Sequence, residues 1–266
     1  CGSSYAMRIV LTVAGSDSGG GAGIQADLKT FHRFGVFGTS AITAVTAQNT
    51  CGVREWIALP PGLVEAQIEA VATDLRPDAV KSGMLGNAPV IAALAAALET
   101  HALHPYVLDP VMMASSGDEL LERDAVGALR SALLPRCDLI TPNVEEAMVL
   151  TGDEVATVAD QERAARRLVD EGARAALVKG GHIAGGEVAD VLFDGTAGVA
   201  RVFRHRRVDS RHTHGTGCTL SAAIAAHLAL GLPLERAVET SLDFVHRAIA
   251  GAPGLGAGRG PLNHFA

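Results

Sequence analysis

Glycine amides, hydroxyl groups and a thiol come together in the run His214–Thr219, which leads directly into an Ala-rich apolar stretch. Glycines placed before a strong helix former leave unpaired backbone N–H groups at a helix N-terminus, where the helix dipole adds partial positive charge. The run therefore predicts an anion site, above all for phosphate. Cys218 would lie in the first helical turn, where the same field is expected to lower the pKa of its thiol. The alternative is a glycine-rich turn that merely precedes a core helix.

A second glycine-rich loop, Ser16–Gly23, separates the first predicted strand from the first predicted helix. Such a loop lets the backbone approach a ligand closely. It is not a Walker A loop, because no Gly-Lys-Ser/Thr follows. Its match to the dinucleotide fingerprint is also weak, since no acidic residue follows about twenty positions on. Asp27, one turn further along, could face a ligand or could simply interact with the helix dipole in a first turn.

Two further segments carry groups suited to a nucleotide phosphate and a divalent cation. Asn143 and Glu146 have the spacing of a capping box, which starts a helix. The same carboxylate could hold Mg²⁺ through water, because Mg²⁺ keeps much of its hydration shell. Lys179 follows a predicted strand and could either reach a phosphate or remain solvated. The nearness of His214 to Cys218 also allows a Cys–His hydrolase, which the phosphate-like surroundings disfavour.

Repeated strand and helix patterns must position these residues. Strands are predicted at Arg8–Ala14, Thr39–Val45, Ala79–Lys81, Pro105–Leu108, Leu139–Ile140, Ala175–Val178, Val188–Phe193 and Val199–Arg204. Helices are predicted at Gln25–Phe34, Leu63–Asp74, Ala88–Thr100, Arg123–Leu134, Val144–Leu150, Gln161–Glu171, Leu220–Leu230 and Leu234–Ala250. This alternation indicates an α/β fold with a parallel sheet, whose strands should present their ligand-binding residues at one edge. Gly251–Gly260 is expected to be loosely held.

Composition limits the class of protein. The chain has 266 residues, 48% of them hydrophobic, which suits one α/β domain. A net charge of −7 and only 4% aromatic residues argue against a nucleic-acid partner. The four cysteines form no C-x-x-C pair, which disfavours structural zinc or a disulfide framework. We expect residues 1–6 to be an expression remnant or short extension and residues 7–266 to be a single domain. We also expect the protein to be cytoplasmic and not to bind membranes.

In combination, these segments closely resemble the hydroxymethylpyrimidine/phosphomethylpyrimidine kinases of thiamine biosynthesis, in the ribokinase-like superfamily. The matching motifs occur in order from Met7 to about Ile249: Ala14–Asp17, Ser18–Asp27, Thr43–Thr50, Lys81–Leu85, Asp109–Met112, Thr141–Asn143 with Glu146, Val178–His182 and His214–Thr219. The resemblance implies a three-layer α/β/α sandwich with a mostly parallel central sheet. It also implies ATP-dependent phosphorylation of 4-amino-5-hydroxymethyl-2-methylpyrimidine and of its monophosphate.

Roles for individual residues follow from the resemblance. The anion hole for the transferred phosphoryl group would be Gly215, Thr216 and Gly217. Cys218 takes the place of the catalytic base of related sugar kinases, and Gln48 that of the residue that hydrogen-bonds the aminopyrimidine ring. The remaining substrate contacts would be Gly15, Asp27, Val45 and Met84. The nucleotide contacts would be Lys179, Asn143 and Thr213. The Mg²⁺ surroundings would include Asp109 and Glu146.

Two alternatives stay open at this point. A pyridoxal kinase of the same superfamily is the nearer one, although Gln48 favours an aminopyrimidine because an amide can read both a donor and an acceptor. A non-catalytic pyrimidine- or nucleotide-binding protein is the more distant one. Ser115 stands where many members of the family carry a lysine, which makes the second phosphorylation a weaker expectation. The resemblance also implies a homodimer.

Overall fold

The computed structural model of the chain describes residues 7–114, 117–122, 124–181 and 186–266. The strands are β1 (Ile9–Asp17), β2 (Phe37–Asn49), β3 (Gly52–Ala58), β4 (Ala79–Ser82), β5 (Tyr106–Leu108), β6 (Leu139–Ile140), β7 (Ala175–Val178), β8 (Glu187–Asp194) and β9 (Val199–Arg206). The helices are α1 (Gly23–Arg33), α2 (Pro61–Asp74), α3 (Ala88–Thr100), α4 (Ala125–Ala128), α5 (Val144–Thr151), α6 (Val158–Asp170), α7 (Thr216–Ala229) and α8 (Leu234–Ala250). The segment 1–6, Ser115 and His182 lie outside the described residues.

All the strands described belong to one sheet, in the order β3-β2-β1-β4-β5-β6-β7-β8-β9. The six central strands described, in the spatial order β2-β1-β4-β5-β6-β7, are parallel to one another. The outer strands β3, β8 and β9, of which β3 and β9 form the two edges, each pair antiparallel with their inner neighbour. Parallel strands end at a common edge, so the segments that follow β1, β4, β5, β6 and β7 are brought together there. The expected mostly parallel sheet is confirmed.

Two hydrophobic cores lie on opposite faces of this sheet. Successive residues of a strand point to opposite faces, and accordingly Val10 and Val107 belong to one core while their neighbours Leu11 and Leu108 belong to the other. The first core includes α1, α7 and α8, and the second includes α2 through α6. Burial on both faces explains why the central strands read as continuous apolar runs. The three-layer α/β/α sandwich is therefore confirmed.

Some local expectations differ from the structure. β3 was not predicted, because Gly52–Ala58 is an edge strand whose residues are half-buried or exposed and show no clear alternation. The expected helix over Arg123–Leu134 is an α-helical turn followed by a π turn and a 3₁₀ turn ending at Arg136, with Arg123 outside the described residues. The segment expected to be loose is tied down, since the Arg259 amide donates to the Thr50 carbonyl at 2.9 Å.

Within the described residues, no helix is long and apolar enough to cross a membrane.

Candidate active site

The glycine-rich run before α7 does form a helix N-terminus. Gly215 precedes the helix with a φ of +82°, a left-handed conformation that favours glycine. The Thr219 amide donates to the Gly215 carbonyl at 2.9 Å, so the amides of Gly217 and Cys218 precede the intrahelical hydrogen bonds. The Thr216 hydroxyl donates to the Thr213 carbonyl at 2.7 Å and fixes the entry of the chain. The geometry suits an anion at this point.

Asp109 lies beside this helix N-terminus and is 1% exposed. One of its oxygens, Oδ1, lies 3.3 Å from Nζ of Lys179 and accepts a hydrogen bond from the Thr141 hydroxyl. The other, Oδ2, accepts a hydrogen bond from Ser221 of α7 at 3.2 Å. A Cβ atom at Gly217 would lie 3.2 Å from Nζ of Lys179. The ends of β5, β6 and β7 and the start of α7 therefore converge on one charged cluster, and Lys179 is not the freely solvated lysine of the alternative interpretation.

Asn143 and Glu146 form the predicted capping box of α5. The Glu146 amide donates to the Asn143 side chain at 2.9 Å, and Oε2 of Glu146 accepts the Asn143 amide at 2.8 Å. The same carboxyl is buried, and burial raises the pKa of Glu146 to about 7, with Asp109 adding to the rise and Lys179 opposing it. The capping interpretation is thus confirmed.

The two buried carboxyl groups of Asp109 and Glu146 also fit a hydrated divalent cation. Both supply oxygen ligands of the kind Mg²⁺ prefers, and a cation would relieve their mutual repulsion. No cluster of three or more histidine, cysteine or acidic side chains in the described part of the chain is arranged to hold a metal ion. A cation here would have to complete its coordination with water and phosphate oxygens, which is the usual case for Mg²⁺ at a nucleotide.

The pKa of the Cys218 thiol differs from the expectation. Burial raises the pKa of Cys218 to about 11, although Lys81 and a hydrogen bond from the Gly23 amide oppose the rise; Asp27 and Asp109 add to it. The prediction of a lowered pKa was therefore wrong for the free protein. It considered only the local field of the helix, whereas tertiary burial and two carboxyl groups outweigh that field.

A fully buried ion pair lies next to this thiol, and sequence reasoning missed it. Nζ of Lys81 is 2.9 Å from both carboxylate oxygens of Asp27, and neither side chain is exposed. The Thr12 hydroxyl donates to Oδ2 of Asp27 at 2.6 Å. Asp27 therefore lies in the second turn of α1, paired and buried, and does not act as a first-turn dipole partner. The only signal in the sequence was Lys81 itself, the first residue of the motif Lys81–Leu85.

The other expected substrate residues line the region where β1, β2 and β4 end. A Cβ atom at Gly15 would lie 2.9 Å from the Met84 sulfur, and the Thr43 hydroxyl donates to the Met84 carbonyl at 2.5 Å. Met84 packs in a small apolar cluster that includes Trp56. Val45 is 44% exposed on β2. Gly15, Val45 and Met84 thus form an apolar surface where these strands end.

Gln48 lies just after a register shift in the pairing of β2 with β3. Its backbone N–H donates to the Ser18 hydroxyl and its backbone carbonyl accepts from that hydroxyl, both at 2.8 Å. Its side-chain Oε1 accepts a hydrogen bond from the Thr46 hydroxyl at 3.2 Å. A bulge commonly re-aims a side chain beside an active site. Gln48 and His214 both line a cavity of about 400 Å³. The structure thus brings Gln48 to the same side of the molecule as the helix N-terminus.

A parallel sheet between two helical layers, with a glycine-initiated helix, a lysine and buried carboxyl groups at the carboxyl edge, defines a kinase of the ribokinase-like class. The phosphomethylpyrimidine kinase family model matches residues 17–263, and the chain belongs to that family. It is 48% identical over 257 residues to the hydroxymethylpyrimidine/phosphomethylpyrimidine kinase of Bacillus subtilis strain 168, covering 96% of this chain and 94% of that protein.

Solved structures agree on the fold. The phosphomethylpyrimidine kinase of Clostridium difficile 630 superposes with a TM-score of 0.81 at 40% identity, covering 91% of this chain and 99% of that one. An ADP complex of Bacillus subtilis pyridoxal kinase superposes with a TM-score of 0.90 at 36% identity, covering 98% of both chains. The fold is therefore shared by two kinds of kinase, and the choice between them depends on the site.

Proposed function

We propose that the protein transfers the terminal phosphoryl group of ATP to 4-amino-5-hydroxymethyl-2-methylpyrimidine and then to its monophosphate, as a step of thiamine biosynthesis. The observation that carries this proposal is the convergence of the Gly217 backbone, Lys179 and Asp109 at the N-terminus of α7. Phosphoryl transfer needs positioning and stabilisation of charge more than covalent chemistry. Backbone amides and a lysine in a partly buried cluster supply both.

Each part of the cluster has a distinct task in this proposal. The backbone at Gly215, Thr216 and Gly217 receives the transferred phosphoryl group, with the Gly217 amide as a donor outside the intrahelical hydrogen bonds, and Lys179 balances its charge. Asn143 and Thr213 lie on the nucleotide side. Mg²⁺, bound near Asp109 and Glu146, would neutralise charge on the phosphates of ATP.

Cys218 is the candidate base for the acceptor hydroxyl. Its raised pKa in the free protein means that the thiol is protonated at neutral pH. A primary alcohol needs only mild base assistance, because the transfer is largely dissociative. Cys218 can accept the hydroxyl proton only as its thiolate, so the thiol must first release its own proton to solvent. Lys81 is a cation that favours that thiolate, which would then take the hydroxyl proton as the transfer proceeds.

Substrate choice depends on Gln48 and on the relatives. An aminopyrimidine edge presents a donor and an acceptor side by side, which the Gln48 amide can match. Pyridoxal lacks that edge. Among the superposed structures, the identity of 40% to a phosphomethylpyrimidine kinase exceeds the 36% to the pyridoxal kinase. Pyridoxal phosphorylation is kept as the second candidate because of that fold similarity.

A coupled ADP-release assay with hydroxymethylpyrimidine, its monophosphate and pyridoxal, each with MgATP, tests the proposal. We expect the highest kcat/KM on the first of these. Gln48→Ala should raise KM for the pyrimidine roughly ten- to a hundredfold, because a buried polar contact contributes about 1–3 kcal/mol, and should affect pyridoxal less. Preference for pyridoxal, or an equal loss on both substrates, would overturn the assignment. Sedimentation of the same protein would test the expected homodimer.

A further inference from the structure

Two glycine-rich segments that are distant in sequence pack directly against each other. We call Ser18–Gly23, which follows β1, the glycine loop, and Thr213–Gly217, which precedes α7, the helix-entry loop. A Cβ atom at Gly215 would overlap the Gly21 carbonyl oxygen. A Cβ atom at Gly21 would lie 2.5 Å from the ring of His214. The two backbones are thus in closest contact where neither residue could carry a larger side chain.

Asp17 lies at the centre of this contact, and its carboxylate accepts four hydrogen bonds. Within the glycine loop, Oδ1 accepts the Gly19 amide at 2.7 Å, and Oδ2 accepts the amides of Gly21 and Ala22 at 3.0 and 2.9 Å. The fourth partner is Nε2 of His214, at 2.9 Å from Oδ2. Asp17 is 3% exposed. Because three of the four bonds fold its own loop, the His214 bond is the only one of the four that reaches the helix-entry loop.

The charge of Asp17 is consistent with this arrangement. Burial alone would raise the pKa of Asp17, but the hydrogen bond from His214 and those from the amides of Ala22 and Gly19 lower it below its usual value. The carboxylate is therefore ionised at neutral pH and can hold N–H donors strongly. The backbone amide of His214 donates to the Gly260 carbonyl at 3.1 Å, so the main chain that carries the ring is also held in place.

We propose that the hydrogen bond between Asp17 and His214 is a positioning contact that fixes the distance between the acceptor-binding side of the site and the anion hole. This inference rests on the proposed function. On the acceptor side, Gly15 precedes the glycine loop in sequence, and the Gln48 carbonyl accepts a hydrogen bond from Ser18 of that loop. The proposed anion hole begins at Gly215, in the helix-entry loop. An error of about 1 Å between reacting groups can reduce the rate about a hundredfold. Asp17 and His214 are positioning residues here, because neither is assigned a contact with the reacting atoms.

Substitutions at His214 separate positioning from simple packing. His214→Phe keeps a ring but removes the N–H donor, whereas His214→Gln restores a donor at a similar reach. We expect His214→Phe to lower kcat roughly ten- to a hundredfold while KM for ATP and for the pyrimidine each change less than about threefold. His214→Gln should recover most of the lost kcat. A purely structural role predicts that Gln is no better than Phe and that both KM values rise.

His227 provides a matched control on α7, the helix that follows the helix-entry loop. It is buried near the far end of α7, where Nδ1 lies 2.9 Å from the Ser241 hydroxyl. His227→Phe therefore removes a comparable hydrogen bond without touching either loop. We expect it to lower the melting temperature but to leave kcat within about twofold of the wild type. A similar fall in kcat for His227→Phe and His214→Phe would show that general destabilisation explains the effect.

A double variant and a substrate-free measurement complete the test. Asp17→Asn combined with His214→Phe should be no worse in kcat than the more damaging single variant, because both changes break the same contact. Hydrogen exchange of the free protein should show faster exchange at 215–217 in His214→Phe than in His214→Gln. If the wild type failed to phosphorylate the pyrimidine, the proposed function would be wrong. The exchange rates of the two His214 variants would still test whether the hydrogen bond to Asp17 orders the helix-entry loop. Equal exchange in the two variants, or additive losses in the double variant, overturns the inference.

Discussion

The buried pair of Lys81 and Asp27 allows a large and specific effect on stability to be predicted. Lys81→Met keeps the length of the side chain but leaves the Asp27 carboxylate buried beside only the Thr12 hydroxyl. Removing one partner of a buried ion pair typically destabilises a protein by about 3–5 kcal/mol, because the remaining charge is uncompensated. Both side chains have 0% exposure here, so the upper part of that range applies. For a protein of this size the loss corresponds to a fall in melting temperature of roughly 10 °C.

Adding Asp27→Asn should return much of that stability, since no unpaired charge is then left in the interior. Urea denaturation of the wild type, Lys81→Met and the double variant measures the free energy of unfolding of each. Glu99→Gln is the control, because it removes a pair with Arg136 in which the glutamate is 72% exposed, and such pairs contribute less than about 1 kcal/mol. A loss below about 1 kcal/mol for Lys81→Met, or a double variant as unstable as the single one, would refute the reasoning.

Other predictions concern titratable groups. Because burial raises the pKa of Cys218 to about 11, iodoacetamide at pH 8 should alkylate the exposed Cys51 well before Cys218, as followed by peptide mass spectrometry; a Cys218 titration midpoint below 8.5 contradicts this. Burial lowers the pKa of His264 to about 4, so its contribution of up to about 3 kcal/mol is present above pH 6.5 and is lost as the pH falls towards 4. His264→Gln should flatten that part of the stability curve in urea denaturation, and an unchanged slope would exclude His264 as its source. Glu146→Gln can keep the capping hydrogen bond but loses the charge, so kcat should fall and the Mg²⁺ requirement should rise; unchanged values of both would remove Glu146 from the cation site.

Sequence reasoning succeeded where the signal is local or follows from parallel topology. The capping box of Asn143 and Glu146 depends on residues three positions apart, and the structure shows both of its hydrogen bonds. The meeting of Asp109 and Lys179 follows from strand order, because both residues come directly after parallel strands. The α/β fold with a parallel sheet was predicted from the alternation of strand and helix patterns, whereas the three-layer sandwich was implied by the resemblance.

The remaining features depend on contacts that no spacing encodes. Lys81 and Asp27 are 54 positions apart, and only packing shows that they face each other. The pKa of Cys218 depends on burial and on the distant carboxyl groups of Asp27 and Asp109, which together reverse the effect expected from its own helix. β3 was missed because an edge strand with one half-buried face has little hydrophobic alternation.

The late segment around residues 258–264 has a consequence for synthesis of the protein. Its amides and carbonyls bond Thr50 and His214, and the His264 ring lies 3.1 Å from the Thr219 hydroxyl in the first turn of α7. A ribosome must therefore translate almost all of the described chain before the N-terminus of α7 acquires these supports. Nascent chains that end before residue 258 would contain every strand described for the sheet and yet lack these contacts. Such fragments should accumulate as folded but weakly active species.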